Sequence, residues 1–105
     1  MLIYTISPGP PSLVQLTPTY VVLSPPSPLV LELSATGYTA ITWLLNGTDM
    51  HDFDRVALEN FSMRFILVNT SESDVGTYEA DVHTQNGSVL TVYFFVQTFS
   101  KSRLV

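Results

Sequence analysis

Apolar and polar residues alternate in several short segments of the chain. Leu29, Leu31, Leu33 and Ala35 are spaced two residues apart, and the segment from Thr77 to His83 alternates in the same way. A period of two places the apolar residues on one face of a β-strand. No apolar pattern with the 3.6-residue period of a helix extends over ten residues. The pattern therefore predicts an all-β chain.

Turn residues divide this pattern into strands, one of them predicted over residues 61–68. The pairs Asn46-Gly47 and Asn86-Gly87 are typical of two-residue hairpin turns. All seven prolines lie at or before Pro28, and proline in a sheet is confined to edges, strand starts and bulges. We therefore expect a broken edge strand, in pieces near 13–16 and 20–23, that changes sheets. Seven to nine short strands predict a sandwich of two antiparallel sheets with Greek-key connections.

The 105 residues are enough for one domain. Nine acidic residues against four basic ones give a net charge of −5, which disfavours nucleic acid and direct contact with anionic membranes as partners. The absence of cysteine excludes disulfides and Cys-ligated zinc. The longest strongly apolar run, 89–96, is far shorter than the roughly 18 residues of a spanning helix.

Three segments are expected along the chain. Residues 1–12 are rich in proline and are interpreted as a lead-in or linker, 13–98 as the folded domain, and 99–105 as a C-terminal linker stub. This organisation predicts a domain with neighbours in a longer chain.

A set of spaced residues resembles a known family. Residues 74–78 match the D-x-G-x-Y motif of immunoglobulin domains, and Trp43 follows Leu33 by ten residues, as the strand C tryptophan does in that family. Phe65 and Leu67 precede the motif where the family places inward residues of strand E. Arg55 precedes Asp74 at about the spacing of the arginine that pairs with the motif aspartate in many members. Residues 13–97 thus resemble an immunoglobulin superfamily domain of the intermediate (I) set, with some V-like character, as found in cell-surface receptors, including receptor tyrosine kinases, and in adhesion molecules.

The resemblance implies structural roles for the residues that carry it. Tyr78 would form the tyrosine corner, in which its hydroxyl binds upstream backbone. Gly76 would be a turn residue with positive φ, and Arg55 would pair with Asp74 through two hydrogen bonds. The family's inter-sheet disulfide positions are Leu33 and Ala80 here, so apolar packing against Trp43 would replace the bridge.

The four asparagines, Asn46, Asn60, Asn69 and Asn86, each begin an N-x-[ST] sequence. This sequence is the acceptor for N-glycans, and all four lie in predicted turns or at strand ends. A preference of asparagine for turns explains the positions but not the Ser or Thr two residues later. We therefore expect an extracellular, glycosylated domain, although secreted domains usually carry disulfides.

Catalysis, cofactor binding and metal binding receive little support. His51 and His83 are far apart in the sequence, and no serine lies in a G-x-S-x-G context. His83 near Asp81 is interpreted as a solvated pair. A loop with Asp49, His51, Asp52 and Asp54 matches no EF-hand spacing, and a solvated loop is expected there.

Protein binding has more support. Strand parity predicts an outer face on three neighbouring strands, which correspond to strands G (88–96), F (77–83) and C (41–45) of the family. If Leu90, Val92, Phe94 and Val96 face the core, strand G presents Tyr93 and Phe95 outward. Strand C then presents Leu44, and strand F presents Glu79, Asp81 and His83 between them. The resemblance implies that this G–F–C sheet contacts a protein ligand or a second copy. The alternative is that the N-terminal strand, with Tyr20 and Val22, covers Phe95.

The function predicted from the sequence is non-catalytic recognition, homophilic contact or spacing in the ectodomain of a single-pass cell-surface protein. Two alternatives remain open: a structural module of an intracellular filament protein, and a viral immunoglobulin-like glycoprotein domain.

Overall fold

The computed structural model describes residues 11–99. The predicted lead-in (1–12) and stub (99–105) therefore lie mostly outside the described residues. Nine strands and one short 3₁₀ helix form the domain: β1 (Ser12–Gln15), β2 (Tyr20–Leu23), β3 (Leu29–Thr36), β4 (Tyr38–Leu45), β5 (Thr48–Asp49), β6 (Val56–Glu59), β7 (Arg64–Leu67), η1 (Glu72–Asp74), β8 (Gly76–Thr84) and β9 (Val89–Thr98).

The strands form two sheets, which confirms the predicted sandwich. One has the order β1-β3-β7-β6 and the other β2-β9-β8-β4-β5. The interrupted N-terminal strand changes sheets as expected, since β1 pairs antiparallel with β3 while β2 pairs parallel with β9. Because prolines separate and flank these two pieces, both can lie at sheet edges.

The apolar residues of the alternating segments form the core. Leu29, Leu31, Leu33 and Ala35 of β3 are all buried, as are Tyr78, Ala80 and Val82 of β8. Leu33 and Ala80 are at most 1% exposed, so apolar side chains fill the place where the related fold carries its disulfide. This replacement gives up the constraint that a bridge places on the unfolded chain.

Aromatic rings join the two sheets through the core. The Trp43 ring centroid lies 5.1 Å from that of Phe65 in one sheet and 5.9 Å from that of Phe94 in the other. The Phe65 ring meets Tyr78 edge-on at 5.7 Å. The buried indole N–H of Trp43 donates to the Ser62 carbonyl at 2.8 Å, which offsets the cost of removing it from water.

The prediction of a strand from residue 61 is wrong at its start. β7 begins only at Arg64, because Asn60, Phe61 and Ser62 adopt φ values of 53°, 57° and 70° and form a left-handed turn. Two bonds hold this turn to β4: the Tyr38 hydroxyl donates to the Phe61 carbonyl, and Trp43 donates to Ser62. Phe61 therefore projects into solvent and is 83% exposed.

An ion pair anchors the loop that leads into β8. Arg55 donates from Nη1 to Asp74 Oδ2 at 3.0 Å and from Nη2 to Oδ1 at 2.9 Å. Asp74 also accepts from the Ser71 backbone N–H at 2.8 Å and closes the capping box of η1. These donors, with Arg55 as the largest contributor, hold the pKa of the Asp74 carboxyl below its ordinary value despite its burial.

The tyrosine corner and the glycine of the motif are also formed as expected. The buried Tyr78 hydroxyl donates to the Asp74 carbonyl, and burial raises the pKa of this phenol. Gly76 has a φ of 146°. A Cβ at Gly76 would lie 2.7 Å from the side-chain amide of Asn46, so only glycine fits without displacing that side chain.

Leu33→Ala tests the apolar replacement of the disulfide. Loss of this buried side chain should lower the free energy of unfolding by about 2–5 kcal/mol, measured by urea denaturation. Leu16→Ala, the same change at a residue 57% exposed, should cost about 0.5 kcal/mol or less. A loss below about 1 kcal/mol for Leu33→Ala would place Leu33 outside the essential core.

Asp74→Asn tests the ion pair through its pH dependence. Because the folded state lowers the pKa of Asp74, its stabilisation exists above the unfolded pKa near 4 and is lost as pH falls through the folded pKa. The substitution should cost about 2 kcal/mol at pH 7, and this difference should shrink towards pH 2.

The matched control is Asp52→Asn, which removes the same charge from a side chain that is 95% exposed. It should leave stability nearly unchanged at both pH values. A destabilisation by Asp74→Asn that stays the same from pH 7 to pH 2 would contradict an electrostatic role for the pair.

Candidate functional site

The predicted binding residues lie together on the outer face of the five-stranded sheet. The strand register places them in rows across the sheet. In the first row, Tyr93 of β9 lies opposite Glu79 of β8, Glu79 lies opposite Leu44 of β4, and Leu44 lies opposite Asp49 of β5. The next row contains Thr91, Asp81 and Thr42, and the one after it contains Val89, His83 and Ala40. The period of two in β8 and β9 thus aligns the outward side chains across three strands.

Three aromatic rings form a continuous ladder at one side of this face. The Tyr20 and Phe95 ring centroids are 5.6 Å apart, and those of Phe95 and Tyr93 are 6.4 Å apart, both pairs stacked. The exposed fractions are 74% for Tyr20, 40% for Phe95 and 45% for Tyr93. The ladder is therefore an accessible aromatic surface at the β2 edge of the five-stranded sheet.

Tyr20 extends the face and does not cover it. The sequence suggested β2 as a possible cover for Phe95, but β2 lies beside β9 in the same sheet, with Tyr20 opposite Phe95 in register. Tyr20 and Val22 therefore point outward with Phe95, and all three remain exposed. The sequence shows that Tyr20 and Val22 share one side of an alternating strand. It does not show that β9 is the neighbouring strand.

Two carboxylates of β8 follow the aromatic ladder. Glu79 and Asp81 are two residues apart and point to the same side. Asp81, as a hydrogen-bond partner, raises the pKa of the Glu79 carboxyl, and partial desolvation and like charge add to this shift. Thr91 donates to Asp81 at 3.1 Å. Among residues 11–99, neither carboxylate forms an ion pair with an arginine.

His83 and Leu44 complete the predicted face. The Nε2 atom of His83 lies 3.1 Å from the Thr42 hydroxyl, so its partner is across the strand pair in β4. Leu44 is half-buried between Glu79 and Asp49.

Within the described part of the chain, no three metal-ligating side chains are grouped to hold an ion, and no helix is long and apolar enough to cross a bilayer.

The four asparagines of the glycan sequences are exposed and lie at the two ends of the sandwich. Asn46 follows β4 and Asn69 follows β7, near the Arg55 side chain that donates to the Asn69 carbonyl. Asn86 lies at the opposite end of the sandwich, in the β8–β9 hairpin. The turn that contains Asn60 contacts Tyr38 at the start of β4, and therefore lies at the same end as Asn86. Neither sheet face has such an asparagine at its centre.

Local backbone geometry accounts for several residues of these sequences. Asn46, Asn60 and Asn69 adopt φ of 50–54°, a conformation that asparagine tolerates better than most residues. Ser71 caps η1, and Ser88 contacts the Thr84 hydroxyl at 2.8 Å. The side chains of Thr48 and Ser62 make no hydrogen bond within residues 11–99. Hydrogen bonding there does not explain why these two positions carry a hydroxyl group.

Comparisons with known proteins agree with the fold. No protein-family model matches the sequence, and no curated protein matches it significantly. Among solved structures, immunoglobulin domains 1–5 of Sidekick-1 align with a TM-score of 0.72 at 10% identity, over 86% of this chain and 19% of that one. A chain from the structure of Dpr1 IG1 bound to DIP-eta IG1 aligns with a TM-score of 0.71 at 10% identity, over 86% of this chain and 97% of that one.

The titin M4 domain also aligns, with a TM-score of 0.61 and 16% identity over 85% of this chain and 95% of that one. This chain spans about a fifth of the Sidekick-1 structure. At these identities the likeness shows the fold. The chain therefore has an immunoglobulin-like fold, and its two sheets pack together without a disulfide.

Proposed function

We propose that the domain is an extracellular recognition module of a cell-surface receptor or adhesion protein, and that it binds a protein through the outer face of β2, β9, β8 and β4. We call this surface the recognition face. The observation that carries the proposal is the exposed aromatic ladder beside two carboxylates on one face of the sheet. The recognition face comprises Tyr20, Leu44, Glu79, Asp81, His83, Tyr93 and Phe95.

The aromatic ladder has the chemistry of an interface centre. Tyrosine and phenylalanine bury large areas at low conformational cost, and aromatic residues dominate the binding energy of many interfaces. Tyr20, Tyr93 and Phe95 are contiguous rather than scattered, and contiguous exposed apolar groups mark interaction sites. Tyrosine hydroxyls at both ends of the ladder can bind a partner's polar groups.

Glycans at three of the four proposed acceptors would leave the recognition face open. Asn60, Asn69 and Asn86 lie beyond the strands, at the ends of the sandwich. Asn46 is the nearest acceptor, because its backbone N–H donates to the Thr77 carbonyl beside Phe95. Sugars on the ends would also improve the solubility of a domain with only 12% charged residues.

A structural module of an intracellular filament protein is the second candidate. The lack of cysteine and the likeness to titin M4 favour it. That candidate predicts no glycosylation and no dependence of binding on the aromatic ladder.

Glycan occupancy distinguishes the two candidates. The chain expressed with a secretion signal in eukaryotic cells should lose several glycan masses on treatment with an N-glycan-removing enzyme, leaving aspartate at the modified positions among Asn46, Asn60, Asn69 and Asn86. Intact mass spectrometry before and after treatment measures this. A folded, secreted product with unchanged mass would contradict the extracellular assignment.

Tyr93→Ser/Phe95→Ser tests the recognition face itself. Tetramers of the domain should bind the surface of cells that carry the partner, and removal of both rings should weaken binding tenfold or more, since single aromatic anchors contribute about 2 kcal/mol each. Flow cytometry over a panel of cell types measures the titration.

The matched control is Val14→Ser/Leu16→Ser, which removes two apolar side chains that are 56% and 57% exposed near β1 of the other sheet. This variant should bind as the unmodified domain does. Equal losses in both variants, or binding that survives in Tyr93→Ser/Phe95→Ser, would contradict the assignment of the face.

A further inference from the structure

We infer that the partner of the recognition face presents arginine side chains to the space between the aromatic ladder and the β8 carboxylates, and that it is not a second copy of this domain. This inference rests on the proposed function and specifies the partner. It follows from the placement of charge on the face and from the use of cations elsewhere in the fold.

Within residues 11–99, both arginines are bound away from the recognition face. Residues 11–99 contain nine acidic side chains but only Arg55 and Arg64 as permanent cations. Arg55 is bound to Asp74 in the loop before β8. Arg64 pairs with Glu32 at 3.2 Å and lies 3.6 Å from Glu59, both in the other sheet. The carboxylates of the face thus lack a cationic partner within the described residues.

The aromatic and acidic groups are adjacent in register. Tyr93 lies directly opposite Glu79, and directly opposed side chains on one face have Cβ atoms about 4.5–5.5 Å apart. Asp81 lies one row further along the same side of β8. A cation over the Tyr93 ring therefore has carboxylate oxygens within reach.

Arginine fits this arrangement better than lysine. Its planar guanidinium stacks on an aromatic ring and also donates two hydrogen bonds to a carboxylate. The ammonium group of lysine is a compact and strongly hydrated charge that cannot do both with the same geometry. The carboxylates of Glu79 and Asp81 lie on the same side of β8, and a bound guanidinium would compensate the charge of both.

Charge also disfavours a second copy as the partner. A two-fold contact brings the same patch of both molecules together. Such a contact would bring the carboxylates of Glu79 and Asp81 from both molecules into one interface, and Asp49 lies in the row of Glu79 beyond Leu44. No arginine or lysine of residues 11–99 lies on the face to compensate. Like charges across an interface disfavour such a pairing.

The test uses N-acetyl-arginine amide as the probe, with the citrulline analogue as its uncharged, planar control. Titration of the ¹⁵N-labelled domain should give saturable chemical-shift changes that are concentrated in residues 77–83 and 93–95. The citrulline compound should give shifts at least tenfold smaller at the same concentration, which corresponds to the loss of one charge-assisted contact.

Matched charge variants locate the contact. Glu79→Gln/Asp81→Asn should abolish the saturable shifts. Asp54→Asn/Glu72→Gln removes one aspartate and one glutamate charge from exposed positions outside the face and should leave the shifts intact. Equal loss in both variants, or shifts spread over all acidic side chains, would overturn the inference by showing only non-specific charge attraction.

Sedimentation velocity at neutral pH separates this inference from the proposed function. The domain should remain monomeric at concentrations up to the millimolar range. Self-association that Tyr93→Ser/Phe95→Ser abolishes would overturn the cationic-partner inference while supporting the recognition face. An absence of arginine-dependent shifts would overturn the inference even if binding to cells still required the aromatic ladder.

Discussion

The Trp43 indole lies between the two sheets, and the rest of the sandwich depends on its burial. Its ring packs against Phe65 on one side and Phe94 on the other, so it makes the inter-sheet contact that a disulfide reinforces in related domains. Its N–H needs an acceptor when it is buried. The Ser62 carbonyl supplies one, and this ties the left-handed turn between β6 and β7 to the core.

The ion pair of Arg55 and Asp74 has a corresponding role at the edge of the core. Asp74 receives the guanidinium, caps η1 and offers its carbonyl to Tyr78. One residue thus fixes the loop before β8 and the start of that strand. β8 begins directly after this loop, and its register with β4 and β9 decides which side chains share a row on the recognition face.

The recognition face therefore depends on the same constraints as the core. Buried residues of β8 alternate with Glu79, Asp81 and His83, so any shift in register by one residue would move the carboxylates inward. Arg55 and Arg64, the arginines of residues 11–99, are held in structural pairs, so within these residues no arginine compensates the carboxylates of the face. Charge of one sign beside an aromatic surface favours a partner of opposite charge over a second copy.

Much of the fold could be predicted from the sequence because its determinants are local. The alternation of apolar and polar residues predicted β3 and β8. The two Asn-Gly pairs predicted two hairpin turns, and the prolines predicted the interruption between β1 and β2. The resemblance to immunoglobulin domains, and not a local pattern, implied the loop that Arg55, Asp74 and Tyr78 anchor. Likewise the outward residues of β8 and β9 followed from strand parity alone.

Tertiary structure decided the features that depend on contacts distant in sequence. The backbone of residues 60–62 is left-handed because β4 binds its carbonyls, and local pattern predicted a strand there instead. Tyr20 joins the aromatic ladder because β2 pairs parallel with β9, so that strands from opposite ends of the domain's sequence become neighbours. The sequence determined which side chains point outward, and only the packing of the strands decided which of them meet, because strand order and register are set by the burial of the whole core.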